Sequence, residues 1–243
     1  MTDNAFRWMD CDAYLFDIDG TLLVTQDLVH RNALHRAMQE VYGVDTNIDG
    51  IPYHGKTDLG ILRAAMARVG VDGVRFDSRL PAALEVVCRE VELNVSSIKA
   101  NICTSVRDIL TTLRDAGKLL GVASGNLKSV GWHKLEAAGL RDFFTFGCFS
   151  DSAELRADVF REALEQTRLR LGDQAAVCFI GDTPEDIRAA RAANAKIIAV
   201  STGTFSCDEL FSFSPDLCIA SCGDLLERDN EIANDVSAQS ARR

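Results

Sequence analysis

The chain has 243 residues, of which 47% are hydrophobic and 26% charged, with a formal charge of −10. That length supports one sizeable core plus a smaller module. The acidic balance without a basic cluster excludes a nucleic-acid footprint, and the lack of any run of 18 apolar residues excludes a membrane-spanning helix.

Residues 1–12 carry acids and no apolar h-region, so no secretory signal is expected. The first predicted strand is 13–16. From about 24 to 99 there is no convincing strand. Three helical stripes occupy this stretch: Leu34, Ala37, Met38 and Val41; then Ile61, Leu62, Ala65, Met66 and Val69; then Leu84, Val87, Cys88 and Val91. The spacing predicts a helical module over 25–99, inserted straight after the first strand. The chain then returns with a helix marked by Val106, Ile109, Leu110 and Leu113, and with strands at 119–123 and 143–148. A second helix, marked by Val159, Phe160, Ala163, Leu164 and Thr167, leads to strands at 177–180 and 197–200 and a weaker one at 217–220. These strands are continuous apolar runs rather than alternating ones, as parallel strands buried on both faces require. The expected fold is therefore α/β, a doubly wound parallel sheet formed by 1–24 and 100–227. The polar tail 228–243 is expected to fray.

Eight cysteines (11, 88, 103, 148, 178, 207, 218 and 222) include no C-x-x-C, and Cys178 lies inside an apolar strand. Without a signal segment they are expected to be reduced thiols of a cytoplasmic protein.

Three predicted strands end in chemistry-bearing residues, where open α/β sheets bind ligands. The first ends in Phe16-Asp17-Ile18-Asp19-Gly20-Thr21: two carboxylates at period-two spacing, with a glycine that permits close backbone approach. The second ends in Ser124-Gly125-Asn126, a set of donors suited to phosphate oxygens and also common in ordinary turns. The fourth ends in Gly181-Asp182-Thr183-Pro184-Glu185-Asp186. Here Thr183, Pro184 and Asp186 form a helix-starting capping box, which leaves Asp182 without a structural reason to be there.

Taken in order, the three motifs resemble the haloacid dehalogenase-like hydrolase superfamily, in its phosphoglycolate-phosphatase-like branch, over nearly the whole chain. The resemblance implies a phosphatase with an aspartyl-phosphate intermediate. Asp17 would be the nucleophile and Asp19 the general acid and base. Mg²⁺ would be held by Asp17, the Asp19 backbone carbonyl and Asp182, with support from Asp186. Ser124, Gly125 and Asn126 would bind the transferring phosphoryl group, and the helical module would be a cap that closes over a small-molecule phosphate.

The family's lysine between the second and fourth motifs is missing from the expected region, 150–156. Arg156, which opens the helix before the fourth strand, is expected to supply the cation. Lys134 is the alternative, but ten residues beyond Ser124 it reads as too far along its helix to reach back. Val24 and Thr25 also stand where relatives often have Asp-Ser. In the cap, His54 and Lys56 lie in a loop that faces the active site in relatives, and Thr57 or Asp58 caps the next helix. His30 reads as an ordinary packed or solvated residue near the hinge. Two rival readings are a phosphohexose mutase of the β-phosphoglucomutase type and a catalytically silent module on the same fold.

Overall fold

The computed structural model describes residues 6–227; the predicted frayed tail at 228–243 lies outside them. Strand β1 (Ala13–Phe16) is buried at all four positions. Tyr14 and Phe16 pack into one apolar layer, and Ala13 and Leu15 into the layer on the opposite face. This is the period-two consequence of a strand covered on both sides.

After β1 the chain forms β2 (Leu23–Thr25), then three helices, α1 (Val29–Tyr42), α2 (Asp58–Arg68) and α3 (Gly73–Leu93). It returns through β3 (Ala100–Ile102), which pairs antiparallel with β2. This two-stranded ribbon corrects the expectation of an insertion entered without a strand. Three residues per strand are too few to show a period in sequence. The helices share an apolar cluster of their own, in which Leu34, Met38, Leu62, Met66, Phe76 and Val87 are buried. That cluster continues into Leu127 and Val130, so the helices pack down on the main body.

The main body continues with α4 (Val106–Asp115), β4 (Leu119–Ala123), α5 (Lys128–Ala137) and β5 (Phe146–Cys148). Then come α6 (Arg156–Leu171), β6 (Val177–Gly181), α7 (Pro184–Ala192), β7 (Lys196–Val200), α8 (Cys207–Phe211) and β8 (Leu217–Ile219). The strand predicted at 143–148 is shorter than expected. Residues Arg141–Phe143 form a 3₁₀ turn closed by Phe143 N–H to Leu140 O at 3.1 Å, and pairing begins only at Phe146. All four stripe residues of α4 and all five of α6 are buried.

Six parallel strands are ordered β5-β4-β1-β6-β7-β8. The chain winds one way from β1 through β4 to β5, then crosses to build β6, β7 and β8 on the other side. β1 sits at the reversal. Its last residue, Phe16, is level with Val122 of β4 and Ile180 of β6. The three βα junctions that follow these strands therefore open onto one crevice at the carboxyl edge. No helix among the described residues is long and apolar enough to cross a membrane.

Candidate active site

Asp17 directly follows β1, and its N–H donates to Ile180 O at 2.9 Å, tying the two strand ends together. Its carboxylate is buried with those of Asp182 and Asp186, and one oxygen from each lies within 4.8 Å of the others. Asp186 completes the expected capping box: Thr183 N–H and Oγ1–H donate to its Oδ2 at 3.1 and 2.6 Å, while its own N–H donates to Thr183 Oγ1. Its other oxygen, Oδ1, meets Arg156 Nη2 at 2.6 Å. The same guanidinium nitrogen lies 2.7 Å from Asp17 Oδ1. Thr21 Oγ1 donates to Asp182 Oδ1 at 3.1 Å.

Three carboxylates against one guanidinium leave a buried excess of negative charge. Burial pushes the Asp17 carboxyl up to about 6, with Arg156 opposing and Asp186 reinforcing the rise. Burial, then the charges of Asp17 and Asp186, raise Asp182 well above the carboxylate range. Burial works against the charged form of Arg156, but Asp17 and Asp186 outweigh it and raise its pKa. A divalent cation would relieve this excess, and the cluster has the all-oxygen character such ions take. The backbone is also cut away around it. A Cβ on Gly20, which has φ +86°, or on Gly203 would fall onto the Asp182 carboxylate.

Asp19 is turned elsewhere. Its Oδ2 accepts from Lys134 Nζ at 2.7 Å and from Asn126 Nδ2 at 2.8 Å. Its side chain is therefore not part of the carboxylate cluster, although it was expected among the metal-holding residues through its backbone carbonyl. Burial opposes its charged form, but Lys134 and Asn126 prevail and the carboxyl is held below its usual value.

Lys134 does reach back, which corrects the sequence reading. It lies about two turns along α5, but side chains lean toward a helix's N-terminus, and a lysine stem spans the rest. Its three ammonium protons meet three acceptors: Asp19 Oδ2, Asn126 Oδ1 at 2.8 Å and His30 Nδ1 at 3.2 Å. The site thus contains two cations, Arg156 and Lys134, rather than a choice between them.

His30, read as an ordinary packed residue, is a link in this network. The ammonium can only donate, so Nδ1 accepts and Nε2 carries the proton given to Asp58 Oδ2 at 3.0 Å. Asp58 also accepts from Leu127 N–H at 2.8 Å, and its own N–H donates to Gly125 O at 2.8 Å. A hydrogen-bonded chain therefore runs from the helical insertion to Asp19. Sequence alone offered no signal for it, because His30 lies 28 residues from Asp58 and 104 from Lys134.

In the β4–α5 loop, Ser124 Oγ accepts from Asn126 Nδ2 at 2.9 Å. Gly125 lies under the insertion's loop, where an added Cβ would strike Lys56 O and Arg156 Nη1. Thr57 is the N-cap of α2: its hydroxyl accepts from Gly60 N–H at 3.1 Å and donates to Glu154 O at 2.5 Å. His54 and Lys56 both line the cavity. His54 Nδ1 is 3.3 Å from Thr204 Oγ1, and Lys56 Nζ is 3.4 Å from Glu185 Oε1. The cavity measures about 540 Å³ and is lined by Asp17 and Asp182 of the acid cluster and by Leu34, Ile48 and Ile61 of the insertion.

A family model for haloacid dehalogenase-like hydrolase matches residues 14–200. The phosphoglycolate phosphatase of Synechococcus elongatus is 29% identical over 217 residues, covering 88% of this chain and 95% of its own. Pyrophosphatase PpaX of Bacillus velezensis is 24% identical over 216 residues, covering 88% and 94%. Among solved structures, CbbY from Rhodobacter sphaeroides in complex with phosphate superposes with a TM-score of 0.64 at 19% identity, covering 87% of this chain and 94% of that one. A haloacid dehalogenase-like family hydrolase from Streptococcus pneumoniae gives 0.61 at 18% identity, covering 90% and 98%. At such identities the superpositions speak for the fold. The family match spans most of the chain and all three motif-bearing strand ends, and this chain belongs to the haloacid dehalogenase-like hydrolase family.

Proposed function

We propose that the chain is a cytoplasmic, magnesium-dependent phosphatase that hydrolyses a small phosphate monoester through an aspartyl-phosphate on Asp17. One observation carries the reading: two carboxylates two residues apart sit in opposite electrostatic settings. Asp17 lies in a buried acid cluster paired with Arg156, and Asp19 is held apart by Lys134 and Asn126. A nucleophile and a proton carrier on one strand end need such a separation of roles.

Asp17, Asp182 and Asp186, with the Asp19 backbone carbonyl, would hold Mg²⁺, which when bound offsets the repulsion between the attacking carboxylate and an anionic ester. Asp17 attacks phosphorus, and the bond to the leaving oxygen breaks as Asp19 passes that oxygen a proton received from the Lys134 ammonium, to which the proton taken up in the next step returns. Asp19 then takes a proton from water, which attacks phosphorus and frees Asp17 and inorganic phosphate. Arg156 holds Asp17 in place and lends positive charge to the phosphoryl oxygens. Ser124 Oγ only accepts in the described network, which leaves its proton for a phosphoryl oxygen. The eight free thiols favour the cytoplasmic placement.

The names of the two relatives make phosphoglycolate and inorganic pyrophosphate the first substrates to try, followed by sugar phosphates and nucleoside monophosphates. Phosphate release across such a panel with Mg²⁺ tests the reading. Asp17→Asn is expected to keep the fold and lose at least about a thousandfold in turnover. A folded Asp17→Asn protein with near-normal turnover overturns the assignment.

A further inference from the structure

The loop from β7 to α8, residues 201–206, is the fourth wall of the site. Thr202 Oγ1 donates to Gly20 O at 2.5 Å, Gly203 backs onto Asp182, and Thr204 meets His54 of the insertion's loop. The loop's far end is Cys207, the first residue of α8. Cys207 Sγ lies 2.7 Å from Cys218 Sγ of β8, well inside van der Waals contact of two sulfurs.

The other thiols are less well placed. Cys11 and Cys178 also form a hydrogen-bonded pair, but both are buried, as are Cys148 and Cys222, whereas Cys207 and Cys218 are both half-buried and in contact. We propose that Cys207 and Cys218 form a reversible dithiol–disulfide site that, on oxidation by a peroxide, clamps the active-site loop to the sheet edge.

The chemistry balances with hydrogen peroxide as oxidant. Cys207 sulfur attacks one peroxide oxygen, the O–O bond breaks, and a sulfenic acid and one water result. Cys218 sulfur then attacks the sulfenic sulfur, the S–O bond breaks, and a second water leaves as the S–S bond forms. The two sulfurs together lose two electrons, and one peroxide becomes two waters. Cys207 is the attacking sulfur because Cys218 Sγ–H is engaged as a donor to Cys207 O at 3.5 Å, which holds Cys218 as the thiol. Once bonded, residues 201–206 are fixed at both ends, by β7 and by the bridge to β8.

The test uses the full chain, reduced and desalted, then treated with a small excess of hydrogen peroxide. Peptide mapping without reductant should find 207 and 218 linked, with the link removed by dithiothreitol. Hydrogen exchange of the 201–211 amides should slow by about tenfold on oxidation, and the slowing should vanish in both Cys207→Ser and Cys218→Ser. A link between other cysteines, or over-oxidation of Cys207 without a link, overturns the proposal. So does a 207–218 bridge that leaves exchange in the loop unchanged. These readouts are independent of turnover and of the phosphatase reading.

Discussion

Each of the two acids on the β1 edge has its own cation, and the two pairs are built differently. Arg156 contacts Asp17 and Asp186 at once through one guanidinium nitrogen, Nη2. Lys134 is a point charge shared among Asp19, Asn126 and His30. Removing either should cost about a hundredfold or more in kcat/KM, but with different leaving-group dependence. Arg156→Ala should slow every ester alike, because Arg156 contacts the proposed nucleophile, Asp17. Lys134→Ala, and more mildly His30→Ala, should slow alkyl phosphates strongly and p-nitrophenyl phosphate little, since a good leaving group needs no proton from Asp19. A His30→Ala enzyme that slows both esters equally shows that the chain from Asp58 only supports packing. The preference for Arg156 over Lys134 came from distance along the sequence, which does not measure where a lysine stem reaches back along its helix.

Among the elements, those whose sequence carries an unambiguous local reason were legible. The continuous apolar runs became β1, β4, β6 and β7, and Thr183-Pro184-Glu185-Asp186 started α7 with both halves of its capping box formed. The β2–β3 ribbon was not legible, because its two strands are 75 residues apart at their closest partners, Thr25 and Ala100, and neither carries a period. Nor was the docking of the 53–58 loop, which depends on missing side chains rather than present ones. An added Cβ at Gly125 would strike Lys56 O, and one at Gly55, with φ +72°, would strike Thr183 Oγ1. Gly125→Ala and Gly55→Ala should therefore hold the insertion away from the β4–α5 and β6–α7 loops. Both are expected to lower kcat/KM by about tenfold or more, while melting shifts by only a few degrees. Gly43→Ala is the control: Gly43 has φ +70° at the end of α1 but nothing within 4 Å of its added Cβ. It should cost about 1 kcal/mol of stability and leave kcat/KM unchanged. Gly125→Ala with wild-type kcat/KM would show that this close contact is not needed for turnover.

At the scale of the whole molecule, the buried acid cluster sets a pH dependence of stability, and on the proposed reading the helical insertion sets selectivity. The Asp17 carboxyl is raised from its ordinary 3.8 to about 6 in the folded protein. A folded state that holds a proton more tightly than the unfolded one loses stability as pH rises through that range. Metal-free wild-type protein should therefore gain stability relative to Asp17→Asn as pH falls from 7.5 to 5, by roughly 1–2 kcal/mol. Mg²⁺ should remove the dependence by stabilising the ionised cluster, and melting curves of both proteins with and without the ion check this. A wild-type protein that loses stability relative to Asp17→Asn as pH falls contradicts the charge assignment. On the proposed reading, selectivity belongs to the insertion. Asp58 N–H bonds Gly125 O, Thr57 bonds Glu154 O, and the apolar cluster of α1–α3 runs into α5, so a substrate must fit a cavity of about 540 Å³ between two packed bodies. A phosphate on a folded protein surface cannot enter such a space with its carrier attached, whereas a metabolite is swallowed whole. The expected result is at least about a thousandfold lower kcat/KM for a folded phosphoprotein than for the best small ester. Measured with the same enzyme batch and saturating Mg²⁺, comparable values for the two would mean that the insertion does not cover the site during turnover.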